Sequence, residues 1–452
     1  MTPVGDGRRW WVPGNRWDLV RDRVRLAPPT RLAVIIPYFE QPDSLRRMYA
    51  ALEVAEVGVP WEVVVVDDGS SEPPPAPPDG LVPAVRVLRQ EDRGVRPGAA
   101  RHLGVAATDA EVLVFLDADT LPTPTTISRM AAWPATVPDA LVVGLRHHID
   151  LDGWSPRRLQ AWLTGRVEGP PRRRDPAWLS DRYAASGDLL HATRGDYRSV
   201  ISAVMSCHRV LYDDVGGFDV RRDEYGGEDW DLAARAYHHG AVLVHEPAAV
   251  AYHDEPDWED RSDDADAKQP EHAWLAGHTT DPSARGNGLL HPHPDVVTTV
   301  ELGSAHWHDW AGTVDALLHA CPDQHLYLLG DTDDRLAEYV AADPRVRFGP
   351  AGPASSHRGL IEVHVRRVHP WTKGSFRQLV APIIDRDAGL VRACVHGELV
   401  ATATSNRRTG RVRRAATFGV ALPDDAFATR EVALEPCALP GDLPAWMRLA
   451  RS

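Results

Sequence analysis

Residues 112–116 (Val-Leu-Val-Phe-Leu) run without a polar interruption and stop at Asp117, with Asp119 two residues further on. An unbroken apolar run of this length is the pattern of a strand buried on both faces of a parallel sheet, so the chain must supply helices to cover both sides. That requirement selects an α/β architecture. Two carboxylates at the carboxyl end of such a strand sit where open α/β sheets place their ligands. Like charges so close repel unless a cation lies between them, and oxygen ligands suit hard divalent ions such as Mg²⁺ or Mn²⁺. Asp and Thr ahead of Pro122 also start loops and cap helices, and this motif alone does not choose between the two roles.

The flanking sequence repeats the strand pattern. Residues 32–36 (Leu-Ala-Val-Ile-Ile) form an apolar run ended by Pro37, and residues 62–66 (Glu-Val-Val-Val-Val) read as a second buried strand, ending in Asp67-Asp68-Gly69-Ser70. Residues 43–57 carry helical spacing at Leu45, Met48 and Leu52, and residues 85–88 read as a third strand. A helix is expected over about residues 99–107 and a further strand over residues 140–144. Strands alternating with helices predict a doubly wound sheet with its site at the strand carboxyl ends. Residues 150–198 read as irregular, with few periodic apolar positions, and long loops in compact domains are commonly functional.

Length and charge narrow the classes. A chain of 452 residues is long enough for two or three cores, and a formal net charge of -14 leaves no global basic footprint for nucleic acid. No apolar stretch is long enough to span a bilayer, and the Arg- and Trp-rich start is unlike a secretory leader. The cysteines (Cys207, Cys321, Cys394, Cys437) are widely separated with no C-x-x-C pair, which fits reduced thiols in a cytoplasm.

A second acidic group follows at Tyr225-Gly226-Gly227-Glu228-Asp229-Trp230-Asp231, opening a helix that ends at Gly240. Acids in a first helical turn are favoured by the macrodipole and the free N–H groups, so capping alone would account for them. Alternatively Gly226 and Gly227 let the backbone approach a ligand, with one carboxylate orienting a hydroxyl and the other taking its proton. His253 gains meaning only if it faces Asp117 and Asp119, where a neutral imidazole would complete a metal shell.

Taken together, Ile36-Pro37, the Asp67-Asp68-Gly69-Ser70 turn, residues 98–104 and Asp117-Ala118-Asp119 resemble the donor half of family 2 glycosyltransferases with the GT-A fold. Gly216-Gly217-Phe218-Asp219 and residues 226–231 resemble the acceptor half of β-1,4-galactosyltransferase-type enzymes. The resemblance covers residues 31–255. It implies that Asp68, with Asp67 beside it and Pro37 nearby, binds the nucleobase of a nucleotide-sugar donor. Asp119 and His253 are then implied metal ligands for Mn²⁺ or Mg²⁺, Asp117 a ribose, water or metal contact, and Ala118 part of the same donor surface. Arg101 is placed by the resemblance near the nucleotide or diphosphate. Asp229 is implied as the catalytic base, with Glu228, Gly226, Gly227, Trp230 and Tyr225 around the acceptor. The implied activity is an inverting transfer from a nucleotide sugar, expected to be a UDP-sugar, to a hydroxyl of a glycan, a lipid-linked or a small-molecule acceptor. A non-catalytic carbohydrate-binding or scaffolding paralogue is the competing expectation, and a nucleotidyltransferase would need a Gly-rich phosphate loop that Tyr38-Phe39-Glu40-Gln41 does not provide. Two departures stand out: no Gln-x-x-Arg-Trp element of processive synthases occurs, and Tyr225 replaces the Trp that precedes Gly in the galactosyltransferase pattern.

The expected domain plan is an extension over residues 1–30, the catalytic domain over 31–255, a linker or flap over 256–294, and a smaller α/β domain over 295–452. The last repeats the opening βαβ pattern without an Asp-x-Asp after residues 361–365, which suggests a degenerate GT-A-like repeat serving folding, homo-oligomerisation or acceptor binding. Its Arg-rich segment, residues 406–414, reads either as a solvated basic loop or as a contact for a phosphorylated or lipid-linked acceptor.

Overall fold

The computed structural model describes residues 2–24, 31–254, 269–286, 289–352, 358–423 and 426–435. A short antiparallel pair, β1 (Val4–Gly5) and β2 (Trp10–Trp11), opens the chain. The first sheet is then built in the order β3 (Leu32–Tyr38), α1 (Pro42–Leu52), β4 (Trp61–Asp67), β5 (Ala84–Arg89), α2 (Pro97–Ala106), β6 (Val112–Leu116), β7 (Thr120–Pro122), α3 (Thr126–Thr136) and β8 (Ala140–His148). Helices α4 (Pro156–Leu163) and α5 (Ala177–Ser186) follow. The sheet is completed by β9 (Val204–His208), α6 (Arg209–Asp214), α7 (Glu228–His238) and β10 (Val242–His253).

The strands lie in the order β5-β4-β3-β6-β9-β8-β10-β7. From β5 to β6 they are parallel; β9 runs antiparallel to β6 and to β8, and β10 is parallel to β8. Every residue of β6 is fully buried. Val112, Val114 and Leu116 face the core built with α1 and α3, while Leu113 and Phe115 face the one built with α2, α6 and α7. Burying an aliphatic side chain this completely is worth roughly 2 kcal/mol, so β6 anchors both layers of the domain.

Residues 150–198 are not the irregular loop expected. They contain α4, α5 and a 3₁₀ turn at Arg194–Ser199. These helices bury narrow stripes, Leu159 alone in α4 and Leu179, Tyr183 and Ser186 in α5, which is too few apolar positions for a periodic signal.

Helix α8 (Gln269–His278) leads to a second sheet made of β11 (Val296–Glu301), α9 (Trp307–Ala320), β12 (Gln324–Leu329), α10 (Asp334–Val340), β13 (Val346–Phe348), β14 (Ile361–Val365), α11 (Lys373–Arg386), β15 (Leu390–Val395), β16 (Glu398–Ser405), α12 (Asn406–Thr417) and β17 (Thr429–Ala433). Its order is β13-β12-β11-β14-β16-β15-β17. Numbered along the chain and leaving out the short edge strand β7, both sheets read third, second, first, fourth, sixth, fifth, seventh. The sense of every pairing is the same as well: four parallel strands, an antiparallel step onto the sixth, another onto the fifth, and a parallel seventh.

The Arg-rich segment is neither a solvated loop nor a free basic patch. It is helix α12, and Arg407, Arg411 and Arg414 are buried against the first sheet's helices. Arg407 Nη1 donates to the Tyr237 carbonyl at 2.6 Å, Arg411 Nε to that of Gly240 at 2.6 Å, and Arg414 Nη2 to that of His239 at 2.8 Å. These are carbonyls at the C-terminus of α7, where a helix leaves acceptors unsatisfied and its dipole attracts cations. Arg411 also reaches the carbonyls of Val12 and Gly14, and Arg414 the carboxylates of Asp139 and Asp214. The backbones meet closely enough that a Cβ on Gly240 would collide with the Arg407 carbonyl, and one on Gly410 with that of His239. A second contact is Arg358, which pairs with Asp231 and, at 3.0 Å, with Asp219. In the segment expected as a flap, Asp257 and Asp266 lie outside the described residues. Among the described residues no helix is long and apolar enough to cross a membrane.

Candidate active site

The carboxyl ends of β3, β4 and β6, the N-terminus of α7 and the end of β10 surround a cavity of about 800 Å³. Pro37, Asp68, Arg101, Asp117, Ala118, Asp119, Tyr225, Gly226, Gly227, Glu228, Asp229, Trp230 and His253 all line it. Asp67 does not. Its buried carboxylate accepts from the Ser70 N–H at 2.9 Å and faces Arg89 at 3.2 Å, holding the turn that presents Asp68. Asp68, 2% exposed, accepts from the Arg96 N–H at 2.6 Å and from the Gln90 amide. Burial raises its pKa against those two donors.

Register explains how His253 reaches the Asp-x-Asp turn. Antiparallel pairing sets His253 of β10 opposite Thr120 of β7, and Thr120 follows Asp119 directly. His253 Nδ1 lies 3.3 Å from Asp119 Oδ1 and 3.2 Å from the Thr120 hydroxyl. Burial works to raise the Asp119 pKa, but His253 and Arg146 outweigh it and hold the carboxyl below its ordinary value. Asp119 is therefore an anion at neutral pH.

Asp117 turns the other way. Its Oδ1 accepts from Arg101 Nη2 at 2.6 Å, and Arg101 Nη1 donates to Glu228 at 3.0 Å. Arg101 is itself buried, and although desolvation opposes its charge, Asp117 and Glu228 raise its pKa further. The guanidinium thus ties the β6 carboxylate to the first turn of α7. Arg101 lines the cavity as well as making this bridge, a geometry that its position along α2 did not reveal.

Asp229 is set differently. It accepts from the backbone N–H groups of Trp230 at 2.8 Å and Ser202 at 3.3 Å. Burial, with Glu228 alongside, pushes its pKa up to about 7, against the pull of Arg101. Two neighbouring acids thus have separate characters: Glu228 is an ion-paired anchor, and Asp229 is poised to exchange a proton near neutral pH. The helix begins here because Gly226 (φ +95°) and Gly227 (φ +84°) occupy left-handed backbone, and a Cβ on Gly227 would lie 3.1 Å from the Leu275 Cγ. Gly227→Ala is expected to cost about 1–2 kcal/mol and to displace Glu228 and Asp229, read as a lower Tm.

Several lining residues escaped the sequence reading. Arg146 comes from the far end of β8. Trp178, on α5, packs edge-on against Trp230 at 6.4 Å between centroids, and Pro270 and Glu271 come from α8. Each lies in a different segment, and no local motif marks them.

A divalent ion fits two of these residues. A carboxylate and an imidazole converge on the cavity from β6 and β10, and such a pair leaves coordination positions for donor oxygens and water. No group of three or more His, Cys, Asp or Glu side chains converges among the described residues, and Asp117 is occupied by Arg101.

Comparison with known proteins follows this geometry. Residues 33–187 match the family model described as glycosyl transferase family 2. Residues 190–252, which carry both glycine-aspartate motifs, match the family model described as N-terminal domain of galactosyltransferase. Both matched stretches lie in the first α/β sheet domain, whose cavity sits at the strand carboxyl ends. The chain is similar to a hyaluronan synthase of Pasteurella multocida, 24% identical over 52% of this chain and 26% of that protein. It is also similar to a pre-mycofactocin glycosyltransferase of Mycobacterium tuberculosis, 30% identical over 49% of this chain and 42% of that one. The chain thus spans less than half the length of either relative. Among solved structures, the mannosyltransferase PcManGT from Pyrobaculum calidifontis, in complex with GDP-Man and Mn²⁺, aligns at 20% identity and a TM-score of 0.33, covering 56% of this chain and 63% of that one.

Proposed function

We propose that this chain is a metal-dependent glycosyltransferase that moves a sugar from a nucleoside diphosphate, a UDP-sugar in our reading, to an acceptor hydroxyl with inversion. The observation that carries the proposal is the meeting, in one cavity, of Asp119 and His253 with a separately tuned Asp229. A binding scaffold has no use for a buried carboxyl poised near 7, where its ionisation costs stability. The relatives named above are a synthase and a glycosyltransferase, which supports the same reaction class.

In this mechanism Asp68 and Tyr38 hold the nucleobase at the ends of β4 and β3, and Asp119 with His253 would hold Mn²⁺ or Mg²⁺. A divalent ion bound there supplies the positive charge that a departing nucleoside diphosphate requires. Tyr225, Trp230 and Trp178 offer aromatic faces to sugar rings. Asp229 takes the proton of the acceptor hydroxyl as that oxygen attacks the anomeric carbon from the side opposite the leaving group. The anomeric C–O bond to the diphosphate breaks with its electron pair on the leaving oxygen, so a single displacement inverts the anomeric centre and needs no covalent intermediate. Arg101 keeps Glu228, and with it the first turn of α7, at a fixed distance from the Asp-x-Asp turn.

Release of UDP from a panel of UDP-sugars is expected to require Mn²⁺ or Mg²⁺ and to stop on adding EDTA. Asp119→Ala is expected to abolish the metal-dependent part of donor binding in calorimetry. Equal donor affinity with and without metal in the parent protein would refute the metal assignment, and a β-anomeric product from a β-linked donor would refute inversion.

A further inference from the structure

The second sheet repeats the strand order of the first, and its register allows the two to be matched residue by residue. Leu32 pairs with Trp61 and Val112, and Val296 with Gln324 and Ile361. The faces agree: Leu32 and Val34 pack in the core that includes α1, and Val296 and Val300 pack in the core that includes α9. Counting from these pairs, Asp68 corresponds to Asp331, Asp117 to Arg366 and Asp119 to Val368. The second sheet has therefore kept an acid beyond its second strand and lost both acids beyond its fourth. Between the sixth and seventh strands, where the first sheet carries α6 and α7, the second sheet has α12, which has no Glu-Asp pair and serves the interface instead.

A recess of about 160 Å³ lies at the ends of β11 and β12, on the same side of the repeat as the half of the large cavity lined by Tyr38 and Asp68. Its walls include His306, Trp307, Trp310, Asp331 and Arg335. Trp307 is half-buried, with the Arg335 guanidinium 5.6 Å from its ring centroid, and Arg335 is held in turn by both oxygens of Asp333 at 2.9 and 2.7 Å. Trp310 is 3% exposed, yet its indole N–H meets no acceptor among the described residues. The Asp331 carboxylate is exposed and is not engaged by any described residue.

We propose that this recess is a second carbohydrate site that takes one neutral sugar ring. An indole with a fixed guanidinium over its ring and a carboxylate in the same recess offers a pyranose an apolar surface for its C–H groups and charged partners for its hydroxyls. The volume is a fifth of the first cavity's, too small for a nucleoside diphosphate sugar, and the metal-binding acids are missing. The site is thus suited to holding part of an acceptor or product glycan and not to chemistry. This goes beyond the catalytic reading and stands independently of it, because binding here needs neither donor nor metal.

The test uses the full chain and saturation-transfer NMR with methyl glucoside, methyl galactoside and methyl N-acetylglucosaminide, recorded with UDP and Mn²⁺ present to fill the first cavity. At least one glycoside is expected to receive saturation, to lose it at least fivefold in Trp307→Ala and Asp331→Ala, and to keep part of it in Trp307→Phe. Metal-dependent UDP release by these variants is expected to stay within twofold of the parent, which separates this site from the catalytic one. Absence of transfer to all three glycosides overturns the proposal. So does a signal that survives Trp307→Ala, or one that disappears only in Trp230→Ala. If UDP itself is the molecule whose signal depends on Trp307, the recess is a nucleotide site and the saccharide assignment fails.

Discussion

Asp229→Asn is expected to lower acceptor-dependent turnover by about 10²–10⁴, the range for losing a positioned general base, while leaving donor affinity within a few-fold of the parent. The amide keeps the size, and its oxygen can still accept from the Trp230 N–H, the shorter of the two contacts, while its NH2 replaces the oxygen that met the Ser202 N–H at 3.3 Å, so the site loses the proton acceptor and one long hydrogen bond. The pH dependence should change with it. Asp229 works only as a carboxylate, and its pKa is pushed up to about 7 by burial beside Glu228. Turnover should therefore fall as pH drops below 7, approaching tenfold per unit, and the residual activity of the asparagine variant should lack that limb. Stability gives the opposite sign. Between the ordinary aspartate value of 3.8 and about 7 the folded state binds more protons at this site than the unfolded chain does. Folding is thus progressively penalised as pH rises through that window. Asp229→Asn should melt above the parent at pH 8, and an unchanged pH–rate profile would remove Asp229 from the mechanism.

Arg358→Met is expected to cost on the order of 3–5 kcal/mol, the penalty for removing one partner of a buried ion pair and leaving the other behind. Asp231 is 1% exposed, and it is held by Arg358 from the second sheet and by Arg235 from its own helix, with Nε and Nη2 at 3.0 and 2.6 Å. Burial works to raise the Asp231 pKa, and the two arginines together keep it low. The same guanidinium reaches Asp219, so it fastens both glycine-aspartate motifs at once. Without it the first turn of α7, two residues from Asp229, loses its outer support. Expected results are a Tm lower by several degrees, a fall in kcat and an unchanged donor affinity, with Arg358→Lys recovering part of the loss because it restores the charge without the fork. Equal kcat in the two variants and the parent would show that the second sheet contributes no alignment to the catalytic helix.

Much of this was legible along the chain because the signals are local. Apolar runs of four or five residues specify buried strands whatever lies around them, and β3, β4, β6 and β8 stand where those runs stand. Acids that stop such a run must emerge at the carboxyl end of the sheet, so Asp68, Asp117 and Asp119 could be assigned to one edge in advance. Helices α4, α5 and α12 were misjudged for the converse reason. A helix that buries one narrow stripe, or that buries arginines, has no apolar period to read. Arginine density looks like a solvated surface until the carbonyls it satisfies are known.

The sequence by itself determined the α/β alternation, the two acidic groups and the repeat of the βαβ pattern, since each depends on neighbours within a few residues. Only the tertiary structure decided how those groups divide their work. Asp117 and Glu228 are more than a hundred residues apart and share Arg101. Asp119 meets His253 through a strand register, and Asp229 is left with backbone donors alone. A charge takes its chemical character from what surrounds it in space, through desolvation and the nearest opposite charge, and neither is encoded in the order of residues along the chain.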